Sequence, residues 1–128
     1  MLPTANLFAG WIGMAGGVLS GAAIGVFFHD EGWMGGYGSF RRRLVRLGHI
    51  SFFGLGFVNV LYALSVAAAP IPASLARAAG PAFVAGLVSM PLCCFLTAWR
   101  KPMRILFPVP VLSLALGIGC LLLGWLRP

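Results

Sequence analysis

The stretch LFAGWIGMAGGVLSGAAIGVFF, residues 7–28, decides how this chain is read. It contains no charged side chain. Its length matches the roughly 20 apolar residues that a helix needs to cross the hydrocarbon core of a bilayer. A strand of a membrane barrel would instead alternate over about ten residues. Backbone N–H and C=O groups in lipid find no water, so an evenly apolar segment of this length closes its hydrogen bonds internally as an α-helix. No positive residue precedes it and it is a full-length span, so it is expected to act as a membrane helix and not as a cleavable signal.

Three more stretches have the same character: residues 47–69, 82–99 and 105–126. The composition of the whole chain agrees, with 128 residues of which 60% are hydrophobic and 9% charged. Soluble domains average roughly 45–50% apolar and about 25% charged. Too little polar surface remains here to cover a water-soluble globule. The expected fold is therefore all-α: a polytopic integral membrane protein whose residues 1–128 form a single transmembrane domain. Its spans, about 7–28, 47–69, 82–99 and 105–126, make an up-and-down four-helix bundle. Residues 29–46 and 100–104 are expected as loops on one side and 70–81 as the loop on the other. Pro70 and Pro72 stop the second helix, Pro81 is expected in the first turn of the third, and Pro91 in its interior predicts a kink.

Charge placement gives an orientation. Arg41, Arg42, Arg43 and Arg46 lie between the first two spans, and Arg100, Lys101 and Arg104 between the last two. Only Arg77 and Arg127 lie on the opposite side. The positive-inside rule puts the first group in the cytoplasm and both termini outside, as expected for a bacterial inner membrane. Trp11 and Trp125 then mark the outer interface, and Trp33 and Trp99 the inner one. The net charge of +7 is thus read as topology, with no nucleic-acid partner expected.

Helix contacts are also legible. Gly13, Gly17, Gly21 and Gly25 recur at every fourth position of the first span and stack into a groove in which another backbone can approach. Gly10 and Gly16 lie nearby. In the second span, His49, Phe53, Gly56, Asn59 and Ala63 share one helical face. An amide at the depth of Asn59 costs free energy unless it is hydrogen-bonded, so this face is expected to point into the bundle. The groove fits a neighbouring helix of this chain, a second copy or another membrane subunit. The three cysteines, Cys93, Cys94 and Cys120, read as small apolar residues, because an odd count with two adjacent members makes no disulfide framework.

The segment HDEGWMGGYGSFRRRLVRLGH, residues 29–49, holds both histidines and both acids of the chain. His29 and His49 would lie at similar depth at the ends of antiparallel helices, where two imidazoles suit axial ligation of a haem b. The nearby arginines would pair with its propionates, Phe52 or Phe53 would cover its face, and Trp33 and Tyr37 would close its edge. His29, Asp30, Glu31 and His49 also include ligand types for a divalent metal. However, the first three are consecutive, and a helix end cannot aim all three at one point. Arg41, Arg42, Arg43 and Arg46 are expected to meet anionic lipid, at about 1 kcal/mol per charge. Gly35-Gly36-Tyr37-Gly38-Ser39 lacks the strand and the glycine-lysine ending of a phosphate loop and reads as a turn. No serine or cysteine has a clear histidine partner in the sequence and the two acids sit side by side, so no catalytic activity is expected.

Two families of small four-span transporters offer a comparison. Gly16-Gly17-Val18-Leu19 and Val58-Asn59-Val60-Leu61 look superficially similar to the glycine-rich first helix and second-helix asparagine of fluoride-channel proteins. The threonine- and serine-rich break expected in their third helix is missing, since that segment here reads Val84-Ala85-Gly86-Leu87-Val88-Ser89-Met90. Small multidrug exporters depend on a glutamate in the first span, and this one has no acid. Neither family is adopted. The expected role is a non-catalytic structural or accessory subunit of a larger membrane assembly, such as a respiratory or electron-transfer complex. A haem-binding electron-transfer subunit using His29 and His49 is the alternative, and a small channel or transporter ranks third.

Overall fold

The structure, a computed structural model, describes residues 3–126; Arg127, counted above among the outer charges, lies outside the described residues. Four α-helices follow one another: α1 (Pro3–Gly25), α2 (Phe40–Ala68), α3 (Ala73–Trp99) and α4 (Pro108–Leu126). Short 3-10 turns occur at Trp33–Gly35 and Lys101–Leu106, and the described residues contain no strand. Each helical stretch is long and apolar enough to cross a membrane.

The helix ends differ from the sequence expectation in all four spans, beginning with α1, which runs Pro3–Gly25 and not 7–28. α2 starts at Phe40, so Arg41, Arg42, Arg43 and Arg46 ride on a helix and not in a loop spanning 29–46. Ser39 makes the cap: its hydroxyl accepts from the Arg42 N–H (3.1 Å) and donates to the Met34 carbonyl (2.7 Å). α3 starts at Ala73, which reduces the expected connection 70–81 to a few residues after Ala68. Pro72 precedes the run Ala73–Ala79, whose alanines and Leu75 are strong helix formers. Pro81 is therefore interior to α3 and not in its first turn, and Pro91 is interior too. α4 starts at Pro108, not at residue 105, because Pro108 and Pro110 lack the N–H that a helix interior requires and fit its first turn.

Side-chain contacts give the direction of each pairing. Along α1 and α2, Gly10 meets Val60, Gly17 meets Phe53 and Gly21 meets His49, so one number rises as the other falls. Along α2 and α3, Asn59 meets Phe83 and Gly48 meets Phe95. Along α3 and α4, Phe83 meets Gly117 and Leu114 meets Gly86. Consecutive helices are thus antiparallel. α1 and α3 run parallel, with Asn6 at Gly80 and Gly13 at Leu87.

The helices are not equivalent. α1, α2 and α3 pack mutually, whereas the backbone of α4 approaches only α3 and the 3-10 turn before it. α3 is the centre: half of its most apolar window is buried, against 22% for α1 and 17% for α4. One core cluster joins Tyr62, Ala79, Phe83 and Cys120, and another joins Ile24, Val45 and Ala98 near the arginine-bearing end. All three cysteines are buried free thiols. The Trp125 indole N–H reaches the Ala69 carbonyl (3.1 Å) and ties the end of α4 back to the end of α2.

Candidate functional site

Polar side chains in the half of the bundle away from the arginines bond to one another and to α3. Asn59 Nδ2 donates to the carbonyls of Leu55 (2.9 Å) and Phe83 (3.1 Å), while its Oδ1 accepts from Asn6 Nδ2 (2.9 Å). Asn6 Nδ2 also donates to the Gly80 carbonyl (2.9 Å), and the Tyr62 hydroxyl to that of Ala76 (2.9 Å). Three of these carbonyls, of Ala76, Gly80 and Phe83, belong to α3, so side chains of α1 and α2 add hydrogen bonds to its backbone on either side of Pro81. Asn6 and Asn59 are both fully buried, and the one atom left over is Asn6 Oδ1, which has no partner.

The glycine groove of α1 is filled from within the molecule. A Cβ at Gly10 would stand 2.6 Å from the Gly56 carbonyl oxygen. One at Gly17 would stand 2.6 Å from the Phe53 ring, one at Gly21 2.6 Å from His49 Cε1, and one at Gly13 2.8 Å from Leu87. Gly13 thus faces α3 while Gly17 and Gly21 face α2. Gly25 lies past the contact, with only its neighbour Phe28 within reach at 3.9 Å.

The two histidines have different surroundings. His29 is exposed in the turn that follows α1. His49 is half-buried in the groove, with Nδ1 3.1 Å from Ser20 Oγ and its ring edge-on to Phe53. The Ser20 hydroxyl also lies 3.0 Å from the Gly17 carbonyl, and its single proton serves one of these two contacts. Phe52 and Phe53 pack against Gly16 and Gly17. Among the described residues no group of three or more His, Cys, Asp or Glu side chains is arranged to hold a metal. Asp30 instead accepts from the Gly32 N–H (2.9 Å).

The four arginines separate into distinct roles. Arg41 Nε donates to the Ala98 carbonyl (3.0 Å) near the end of α3, where a cation complements the helix dipole. Arg43 is exposed. Arg46 stacks over Tyr37, its guanidinium carbon 4.3 Å from the ring centre. Arg42 is only 2% exposed and is surrounded by three aromatic rings: Tyr37 at 5.3 Å, Trp33 at 5.5 Å and Phe28 at 6.0 Å. Its Nη1 makes long contacts, 3.4 Å each, with the backbone carbonyls of Asp30 and Glu31, and its buried Nε has no partner. The chain reaches this arrangement through positive φ at Met34, Gly35 and Gly36, a run that two glycines make accessible. Phe27 stacks on Trp33 (5.1 Å, nearly parallel) and holds the turn against the end of α1.

Beside this cage is a cavity of about 470 Å³ lined by Phe28, Glu31, Tyr37 and Arg42. The cavities along the helices are different in kind. One of about 510 Å³, with Gly13, Gly16, Phe52, Leu87 and Phe95 in its wall, and another of about 590 Å³, with Ile50, Gly54, Val58 and Phe107, are walled almost wholly by apolar groups. The sequence reading placed Trp33 and Tyr37 near the arginines but did not single out Asn6 or the burial of Arg42. An asparagine just before the first long apolar run was the one available signal for the former. No family model, curated protein or solved structure matches the chain. The fold and site define a class: an all-helical protein with four helices long and apolar enough to cross a membrane, and one arginine-rich, aromatic end.

Proposed function

We propose that this is an integral protein of a bacterial inner membrane, with four spans and both termini outside. In that membrane it serves as a non-catalytic structural or accessory subunit of a larger assembly, respiratory or electron-transferring complexes being the favoured setting. Its arginine-rich end meets the anionic cytoplasmic leaflet. The observation that carries the reading is the internal closure of the polar centre: Asn6, Asn59 and Tyr62 direct their donors to α3 or to each other. A carrier needs polar or charged groups directed at its substrate near the bilayer midplane. Here the helix-side cavities are apolar. What the molecule offers is surface, above all on α4 and α1, whose apolar windows are mostly uncovered. Gentle detergent extraction from native membranes tests this. Stoichiometric co-purification of other membrane subunits is the expected result, and a monodisperse monomer without partners would exclude the accessory role.

The second reading, a haem b electron-transfer subunit, is favoured by one observation: Ser20 Oγ lies 3.1 Å from His49 Nδ1 and orients the ring. Histidine ligands characteristically donate their other N–H to such an orienting group. A reduced-minus-oxidised visible spectrum of the purified chain would then show a haem band that His49→Ala abolishes. An unchanged band in that variant would rule out His49 as a ligand.

A further inference from the structure

We infer that the cavity beside Arg42 is a binding site for a zwitterionic phosphoethanolamine headgroup. The inference deepens the proposed membrane reading and rests on it, because it takes the Arg42 end of the helices to lie at the bilayer surface. Two opposite charges line one cavity of about 470 Å³, Arg42 on α2 and Glu31 in the preceding turn. They do not neutralise each other: Arg42 reaches the backbone carbonyl of Glu31 and not its carboxylate. No ion pair or hydrogen bond engages that carboxylate among the described residues. Arg42 is almost wholly buried, yet its guanidinium makes only two long contacts to protein oxygens, and its Nε has none. A buried guanidinium with unused donors is costly unless an anion or acceptor completes it.

Three aromatic rings surround the guanidinium of Arg42, a residue of the cavity wall, and hold it in place before a ligand arrives. A phosphodiester is the complementary group, since arginine binds phosphate through paired N–H donors. An anion alone would also face the Glu31 carboxylate across the same cavity. A ligand that carries an ammonium two carbons from its phosphate satisfies both ends. Primary ammonium fits better than trimethylammonium, because it donates hydrogen bonds to the carboxylate. Phosphatidylethanolamine supplies this headgroup from the leaflet; glycerophosphoethanolamine carries it in solution.

The test uses the full chain in phosphatidylcholine nanodiscs doped with equal amounts of phosphatidylethanolamine and phosphatidylglycerol. Lipids that remain on the protein are counted by native mass spectrometry. The expected result is retention of phosphatidylethanolamine over phosphatidylglycerol by about two- to fivefold, the scale of one partly exposed ion pair. Glu31→Gln, a change in an exposed turn, is expected to bring that ratio to about one, and Arg42→Gln to lower retention of both. Equal retention of the two lipids by the unaltered protein, or an undiminished preference in Glu31→Gln, would overturn the site. Added glycerophosphoethanolamine separates the sources: failure to displace the lipid supports the membrane lipid as ligand, and displacement would overturn that source in favour of the soluble one. A chain that stays out of the nanodiscs and in solution would instead overturn the membrane reading itself.

Discussion

At the scale of single residues, close approach matters more than composition. Gly10 and Gly54 are both glycines in long helices, but their surroundings are opposite. A methyl group at Gly10 would meet the rigid Gly56 backbone, while one at Gly54 would meet nothing within 4 Å. Gly10→Ala is expected to destabilise the protein by about 1–3 kcal/mol, the cost of overpacking, whereas Gly54→Ala should be near neutral. Reversible unfolding in mixed detergent micelles measures both. Asn59→Leu should cost about 1–3 kcal/mol in the same assay, because it removes the acceptor of Asn6 and leaves the Phe83 carbonyl without its side-chain donor. The glycine spacing and Asn59 were legible because period and polarity are properties of the chain itself. Asn6 was not, because its depth depends on where α1 starts and on the Gly80 carbonyl that α3 brings to it.

At the scale of elements, the ends of helices were harder to read than their middles. Hydropathy marks the part of a helix that lipid or core covers, and α2 continues beyond it in charged residues. Ser39 decides the true start by capping Arg42 and holding the Met34 carbonyl. Ser39→Ala is accordingly expected to cost about 1 kcal/mol. The first turn of α2 should fray, which faster amide hydrogen exchange at Phe40–Arg42 would register. α3 teaches the same lesson from the other end. Pro81 reads as a start signal, but the alanine-rich run before it is already helical, and side-chain donors from α1 and α2 bond carbonyls of α3 on either side of it.

At the scale of the whole molecule, α3 organises the rest, and the three thiols report on it. Cys93 and Cys94 on α3 and Cys120 on α4 are all buried. Each should resist a membrane-permeant maleimide in the folded protein and react fully once it is unfolded, as intact-mass measurement would show. Fast labelling of Cys120 alone would mean that α4 leaves α3 readily. Orientation is tested separately: a periplasm-active phosphatase fused after α4 should be active if both termini face outward, and a cytoplasmic reporter there should be inactive.

The sequence by itself determined the number and type of the helices and the clustering of basic charge between the first two and the last two. Both follow from free energies local to the chain: burial of apolar side chains over a length of about 20 residues, and the satisfaction of backbone groups within one helix. Tertiary structure decided which glycines meet which neighbours, that α4 packs its backbone chiefly on α3, and how Asn6 and Asn59 share their donors. It also decided that one of four similar arginines is buried among three rings while another remains exposed. These outcomes depend on contacts between residues far apart in the chain. Such contacts are fixed only when the helices choose their faces and depths together.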